Sequence, residues 1–417
     1  MVTVKQDVRP QWHPTTVGDH LRAAVLVLLM IGSMLPPTGL PLNELSAIVA
    51  VPFIIHALVR RAPSIHPALR VVALLALLFG AVVYLRPPDS EYGIGKAQNL
   101  FAFTLFTALA AALLGNPEQV VRWARLWLIS GVCLSLFALL GDVDGAGRSI
   151  GMAGNNPIWL ARAIGSPAVA LVWLVYRRRI PRSMAMPAGL LLTAGLIATG
   201  SRGPAVAMLI GIILVFATAS RQQRLVRVTI VLTPILVAGY AAASFGLLPA
   251  DSRIGAFIVD PADTAYSSNR LDLARPTLTL IADHPGGIGI GRWAEYAGIP
   301  RVAYPHNLWL EVLSEAGWIV GGLFILIVAR IVWRLSRTSR SEPTAALVLA
   351  LLAFEIVVTS VSGDLNARTL FFMLALGHCV SRWPAERAAH RRSRSVAPSR
   401  IGGTGVGVPG RPEPAVV

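Results

Sequence analysis

The sequence has little charge and almost no cysteine. Only 14% of its 417 residues are charged and 54% are hydrophobic, which is too apolar for a soluble domain of this length. The two cysteines, Cys133 and Cys379, both lie inside apolar runs, so a disulfide or zinc framework is excluded. The histidines lack metal-ligand spacing and no carboxylate cluster suits a divalent cation, which argues against a metal or other cofactor.

Positive charge is abundant by contrast. The formal net charge of +16 would suit a nucleic-acid partner. The arginines, however, stand in short clusters between apolar runs, which is how membrane proteins distribute them. This arrangement predicts a polytopic membrane protein and no nucleic-acid binding.

The apolar runs predict an all-α fold with about twelve transmembrane helices and one large extracytoplasmic loop, since a span needs about twenty apolar residues. The first, seventh, eighth and last runs are short, so their ends are the least well defined. The spans are expected near residues 21–35, 40–59, 68–85, 98–114, 121–141, 157–176, 184–199, 203–219, 226–249, 306–329, 344–361 and 369–383.

The positions of the cations predict the topology. Clusters fall on alternate connections, for example 60–61, 177–182 and 330–340, which places these connections and both termini in the cytoplasm. We expect residues 1–383 to form a single integral membrane domain. Residues 384–417 are rich in Arg, Gly and Pro with few large apolar side chains, a composition that predicts a disordered cytoplasmic tail.

One connection is several times longer than most others and lies on the predicted outer side. It occupies residues 250–305 and is rich in Gly, Pro, Arg and aromatic residues. Connections of this length are usually functional or disordered, and the positive-inside rule gives no topological reason for its arginines. We therefore predict that it is the active-site loop of a membrane enzyme.

A short motif before this loop, TGSRGPAV (199–206), predicts the start of a helix. Ser201 suits the N-cap and Pro204 the first turn, so the helix would direct its positive end outward. Arg202 adds a planar guanidinium that suits a phosphate. The alternative interpretation is an arginine that snorkels at a helix end.

Within the loop, SSNRLDLARPTLTLIADHPGGIGIG combines a helix with a Gly-rich turn. Apolar residues 271, 274, 278 and 281 recur at helical spacing and predict a helix along the outer membrane surface, with Arg270 and Arg275 in its first part. The glycines that follow would permit close approach of the backbone to a ligand. The pattern is not a dinucleotide-binding fingerprint, because no strand precedes it.

The loop ends at His306 in YPHNLWLEVLSEAGWIVGG (304–322), at the outer start of the tenth span. The positive helix end should keep its imidazole neutral and able to accept a proton. Glu311 and Glu315 share one helix face inside the membrane, where ionisable groups are usually functional. The alternative is that His306 caps the helix and both glutamates pair with nearby arginines.

Other polar residues lie at predicted outer ends of spans. Arg162, in GNNPIWLARAIG, is placed to reach the same outer cavity as Arg202. Asp364 and Arg368, in SGDLNART, are close enough in sequence to pair. Lys96, with its charged neighbours from residue 86 onward, is interpreted as part of a solvated loop.

Taken together, the SRG motif, the loop with NRLDLA and HPGGIGIG, and the PHNLWLEVLSEAGWIVGG helix resemble the O-antigen ligase/polymerase family of bacterial membrane glycosyltransferases. The resemblance runs from about NPIWLAR to SGDL. It implies a multi-pass protein of the bacterial inner membrane that transfers a glycan from a polyprenyl-diphosphate-linked donor, without a metal, to a hydroxyl of a glycan, lipid or protein acceptor.

The resemblance also implies roles for individual residues. Arg202 and Arg270 would bind the donor's diphosphate, and His306 would engage or deprotonate the acceptor hydroxyl as the catalytic residue. Arg275 stands where family members often have an aromatic residue, and Arg162 and Glu311 complete the predicted substrate-binding set. The sequence does not separate a ligase from a polymerase.

A secondary transporter of a small anion or glycan is the alternative from a different class. Twelve spans with both termini inside are common among transporters, whose sites lie near the bilayer midplane. The notable charges here cluster at the outer face instead, and Glu44 and Glu355 are the midplane candidates. Inverted repeats are not evident in the sequence.

Overall fold

The computed structural model describes residues 17–31, 42–60, 65–145, 147–151, 156–218 and 270–384. By internal contacts the chain divides into one unit that ends at Ser381 and a second that begins at Arg382. Three residues of the second unit are described, so the architecture below is that of the first. The predicted tail (384–417) lies outside the described residues except for Pro384.

The described chain is almost entirely helical, which confirms the all-α prediction. The single exception is a two-stranded antiparallel hairpin of β1 (Asp142–Val143) and β2 (Ser149–Gly151). The helices are α1 (Val17–Ile31), α2 (Leu42–Val59), α3 (Ile65–Leu85), α4 (Glu91–Gln98), α5 (Leu105–Ala110), α6 (Pro117–Leu140), α7 (Pro157–Tyr176), α8 (Arg182–Ala198), α9 (Arg202–Ala217), α10 (Arg270–Asp283), α11 (Trp293–Tyr296), α12 (Leu308–Thr338), α13 (Pro343–Ser362) and α14 (Arg368–Val380).

Six helices in the described part are long and apolar enough to cross a membrane, and four more are apolar but shorter. One of the six is continuous from Glu91 to Leu113, because a π-helical turn (Asn99–Thr104) joins α4 to α5 and a 3₁₀ turn (Ala111–Leu113) ends it. Eleven of the twelve predicted spans overlap with described helices. The twelfth, near 226–249, lies outside the described residues, so the number of crossings stays a prediction.

Local sequence explains where several helices begin. Asn116 and Asn156 stand at the N-caps of α6 and α7 and accept hydrogen bonds from backbone N–H groups of the first turn. A proline follows each asparagine directly, where its missing N–H costs nothing. Asn307 caps α12 in the same way, by accepting from the N–H groups of Trp309 and Leu310.

The interior of the bundle is formed by α7 and α13. In their most apolar windows 78% and 72% of residues are buried, against 28% in α3, which therefore lies at the periphery. α13 packs against α7, α9, α12 and α14, and α7 packs against α6, α8 and α9. Polar side chains within α7 and α13 consequently need partners inside the protein.

Connections that alternate along the chain meet at one end of this bundle. We call this end of the bundle the loop end. It is formed by the segments 86–90, 199–201, 284–307 and 363–367. Arg292 on the third segment pairs with Asp89 on the first at 3.0 Å. Trp309, at the start of α12, donates to Ser360 near the end of α13 at 2.7 Å. The charge pattern predicts that this end faces outward.

The described part of the long connection is folded rather than extended. It contains α10 and α11, and α10 packs along α12. The predicted helix is confirmed, whereas its position along the outer membrane surface stays a prediction. Leu273, Thr277 and Leu280 are buried, whereas Leu278 is 56% exposed. Thr277 is buried because its hydroxyl accepts from Trp293 Nε1 at 2.9 Å and donates to the carbonyl of Leu273 at 2.6 Å.

Candidate active site

His306 lies at the loop end, two residues before α12, in a backbone conformation that is unusual for a residue with a side chain. Its φ is 53°, in the left-handed region. The ring of Tyr304 lies 4.4 Å from the imidazole, centroid to centroid. Because Asn307 caps the helix, the alternative that His306 is the cap is wrong.

The surroundings of His306 favour the neutral imidazole. Burial lowers the pKa of His306 most, the nearby Arg270 guanidinium lowers it further, and the Asp364 carboxylate acts in the opposite direction. The lowered pKa agrees with the expected neutral ring, although burial and Arg270 are its causes. A neutral imidazole can accept a proton.

Tyr304 shares this environment. Burial raises the pKa of its phenol most, and the carboxylates of Asp364 and Glu311 raise it further. The hydroxyl therefore stays protonated at ordinary pH and remains a hydrogen-bond donor. Sequence reasoning did not select Tyr304; its position two residues before His306 is the signal that was available.

The three predicted loop-end arginines occupy different positions. Arg202 is the first residue of α9, where Ser201 holds the N-cap position, as predicted. The Ser201 hydroxyl donates to the carbonyl of Thr199 at 3.3 Å and does not cap the helix. Arg270 is the first described residue of α10 and lies close enough to His306 to lower its pKa. Arg275 is exposed, away from the buried face of α10.

A break in α12 receives the Gly-rich segment 284–291. At Gly317 the backbone leaves the helix, with φ 80° and ψ 176°. The carbonyls of Ser314 and Glu315 accept instead from the N–H groups of Ile288 and Gly289, both at 2.9 Å. The N–H of Trp318 in turn donates to the carbonyl of Pro285 at 2.9 Å.

The glycines of this segment were expected to approach a ligand, but the group they approach is the protein's own backbone. A Cβ on Gly287 would lie 2.5 Å from the carbonyl oxygen of Glu315 and from the nitrogen of Gly317. Gly291 touches Gly93 of α4 in a similar way, at 2.5 Å from the ideal Cβ to the Gly93 Cα. The segment is therefore held between α4 and the break in α12.

Lys96, Glu311 and Glu315 form a buried charged cluster between α4 and α12. Lys96 Nζ lies 2.7 Å from both carboxylate oxygens of Glu315 and also pairs with Glu311. All three side chains are fully buried. Two interpretations are thereby corrected: Lys96 is not in a solvated loop, and the partner of the glutamates is this lysine rather than an arginine. Glu311 directs its carboxylate to Lys96.

Arg162 belongs to a second buried cluster, between α7, α13 and α14. Its guanidinium donates to Glu355 at 2.8 Å and to Thr369 at 3.2 Å, and the Thr369 hydroxyl donates to the same Glu355 oxygen at 2.7 Å. The cluster lines a cavity of about 270 Å³ that also contacts Asp364 and Arg368. The pairing considered for these last two residues does not form within the described part of the chain.

The structure thus brings some predicted residues together and leaves others apart. His306 and Arg270 interact at the loop end, and Asp364 influences His306 from the connection between α13 and α14. Glu311 pairs with Lys96 in the buried charged cluster, and Arg162 lines the cavity between α7, α13 and α14. Together these features define a helical membrane protein of the multi-pass class, with an imidazole and a guanidinium in proximity at one end of the bundle.

Residues 187–325 match the family model described as O-Antigen ligase. This stretch contains most of α8, all of α9 to α11, and α12 from its start to residue 325, past the break at Gly317. It therefore includes Arg202, Arg270, Arg275, His306 and Glu311. The resemblance predicted from the sequence is confirmed over this region, which supports a glycosyltransferase-like role in polysaccharide assembly. A comparison with curated proteins gives no match.

Proposed function

We propose that this protein transfers a glycan from a polyprenyl-diphosphate-linked donor to an acceptor hydroxyl, as a polysaccharide polymerase or an O-antigen-type ligase. The observation that carries the proposal is His306, kept neutral beside Arg270 at the loop end, within the region that matches the family model. The protein would lie in the bacterial inner membrane with both termini in the cytoplasm. The donor's polyprenyl chain would then remain in the bilayer while its diphosphate reaches the loop end.

In the proposed reaction, the acceptor oxygen forms a bond to the anomeric carbon of the donor while the bond from that carbon to the diphosphate oxygen breaks. His306 takes up the hydroxyl proton, and the leaving diphosphate keeps the electron pair. Arg270 and Arg202 stabilise the charge that develops on the diphosphate, because a fixed guanidinium needs little rearrangement during the reaction.

Two neighbours of His306 fit this sequence of events. Asp364 raises the pKa of His306, so its negative charge favours the imidazolium that forms after proton transfer. Tyr304 keeps its phenolic proton and is available to donate a hydrogen bond to the substrate. We assign both as supporting residues.

The remaining predicted residues receive different roles. Glu311 is fully buried against Lys96, so we propose that it positions the start of α12 rather than contacting the substrate. Arg275 is exposed on α10, and we propose that it contributes weakly to attraction of the anionic donor. Arg162 lines the cavity, and we propose that it supports the cavity wall through its hydrogen bonds to Glu355 and Thr369.

The test is glycan assembly in cells and with purified protein supplied with a defined polyprenyl-diphosphate-linked donor. His306→Ala and Arg202→Ala should each lower transfer at least about a hundredfold. His284→Ala, on the same connection, and Arg330→Ala, exposed on α12 far from the loop end, are matched controls that should retain activity. Full transfer by His306→Ala would refute the proposal, and the product length would separate a polymerase from a ligase.

A secondary transporter is the second candidate, and one observation favours it. Charged clusters buried among the helices, such as Lys96 with its two glutamates, are common along ion and substrate pathways. Proteoliposomes without a donor lipid distinguish the two functions. A transporter would move a labelled anion or glycan across the membrane, whereas the proposed enzyme would leave both outside and need the lipid-linked donor.

A further inference from the structure

The cavity beside Arg162 has polar groups that the described residues leave without a full set of hydrogen-bond partners. The side-chain oxygen of Asn366 is buried and has no hydrogen-bond partner among the residues that the structure describes. The carboxylate of Asp364 accepts one hydrogen bond within the described part of the chain, from the N–H of Asn366 at 3.2 Å. A buried acceptor without a donor is costly, so these oxygens fit a ligand or water that carries O–H groups.

Arg368 adds an available donor to the same wall. Its guanidinium lies over the ring of Phe103, 4.9 Å from the centroid, and makes no ion pair among the residues the structure describes. Its N–H groups therefore remain available at the cavity. Arg162, by contrast, is already engaged by Glu355 and Thr369.

One face of α7 supplies an aromatic surface to the cavity. Trp159, Arg162 and Ala163 all line it, as expected for residues spaced three and four apart on one helix face. Trp159 is 45% exposed, so much of its indole ring remains uncovered by protein. An open indole beside hydrogen-bonding side chains suits a ring with one apolar face and many hydroxyls.

The charge of the lining separates this cavity from the diphosphate site. Two arginines, Arg162 and Arg368, face two carboxylates, Glu355 and Asp364, so the formal charges cancel. A diphosphate would gain little in such a place, whereas a neutral polyol can use both donors and acceptors. The volume of about 270 Å³ lies just below the usual range of small-molecule sites, about 300–1,000 Å³, and suits one ring rather than a chain.

We propose that this cavity is a carbohydrate subsite that holds one neutral pyranose ring, with Trp159 as the stacking surface and Asp364, Asn366 and Arg368 as the hydrogen-bonding groups. The proposal rests on the function proposed above and names a subsite for it. Asp364 connects the two places, because it lines the cavity and also influences the pKa of His306.

The experiment measures binding apart from catalysis. Full-length protein in lipid nanodiscs is mixed with a neutral oligosaccharide of two repeat units, released from the host's own surface polysaccharide, and binding is followed by saturation-transfer NMR. Trp159→Ala and Asn366→Leu should each weaken binding about tenfold, and Trp159→Phe should restore most of it. Trp333→Ala is the matched control, because Trp333 is 50% exposed but lies toward the other end of α12.

Two results would overturn the subsite. The first is the absence of any oligosaccharide binding by the wild-type protein. The second is binding whose affinity is the same in Trp159→Ala and Asn366→Leu as in the wild type, which would make Trp159 only an interfacial anchor. Failure of the proposed function has a separate signature, since His306→Ala would then retain transfer. Steady-state kinetics show which substrate contributes the bound ring. Trp159→Ala should raise the KM for the acceptor if the ring belongs to the acceptor, and the KM for the lipid-linked donor if it belongs to the donor.

Discussion

Replacement of Lys96 with methionine removes the cation that Glu311 and Glu315 both bind. Nζ lies 2.7 Å from both oxygens of Glu315, and none of the three side chains reaches solvent. Removal of one partner from a buried ion pair costs about 3–5 kcal/mol, because the remaining charge keeps its desolvation penalty. Two carboxylates would be left here, and each repels the other, so we expect the free energy of unfolding to fall by at least about 3 kcal/mol.

The assay is denaturant unfolding in mixed micelles, with Arg330→Met as an exposed control that should change the stability by less than about 0.5 kcal/mol. A triple variant, Lys96→Met with Glu311→Gln and Glu315→Gln, should recover most of the loss, because neutral groups of similar size carry no unpaired charge. A loss below about 1 kcal/mol for Lys96→Met, or a triple variant no better than the single one, would refute the account of this cluster.

Further predictions concern the break in α12 and the pH profile. Gly317→Ala should destabilise the protein by at least about 1–3 kcal/mol in the same unfolding assay. The new Cβ would lie 2.5 Å from the carbonyl carbon of Gly286, and residue 317 has a φ of 80°. The control is Gly322→Ala, which has open space around it and should have almost no effect. The acid limb of the pH–rate profile should move to higher pH in Arg270→Ala, because loss of that cation raises the pKa of His306 and the neutral base appears only above it. Asp364→Asn should move the limb to lower pH for the opposite reason, and an unmoved limb in both variants would show that His306 is not the titrating base.

Much of the fold could be predicted from the sequence because helices in membrane proteins depend on local composition. Apolar length located the spans, and the TGSRGPAV motif marked the start of α9 with Ser201 at the N-cap position. The face of α10 that packs inside the protein could not be predicted, because it depends on a tertiary contact. Trp293, sixteen residues away from Thr277, donates to that threonine and buries a polar position that periodicity alone assigns to the surface.

The site could be predicted in part for the same reason. His306 and the arginines at helix starts stand out because polar residues are rare beside apolar runs. Lys96 could not be connected to Glu315, since the two residues are 219 positions apart and no periodic pattern relates them. Asn366 was equally inaccessible, because an unsatisfied oxygen can be recognised only when every potential partner has a position.

The paired backbone at the break in α12 has a consequence for how the length of the connection can vary. The N–H groups of Ile288 and Gly289 and the carbonyl of Pro285 each have a specific partner on α12. A single inserted or deleted residue between positions 285 and 289 would shift this register and leave backbone groups unpaired inside the protein. Around Gly298, Pro300 and Arg301 the connection is exposed and has no such pairing with α12, so this short turn should absorb length changes. Deletion scanning should therefore find a short intolerant segment next to a tolerant one.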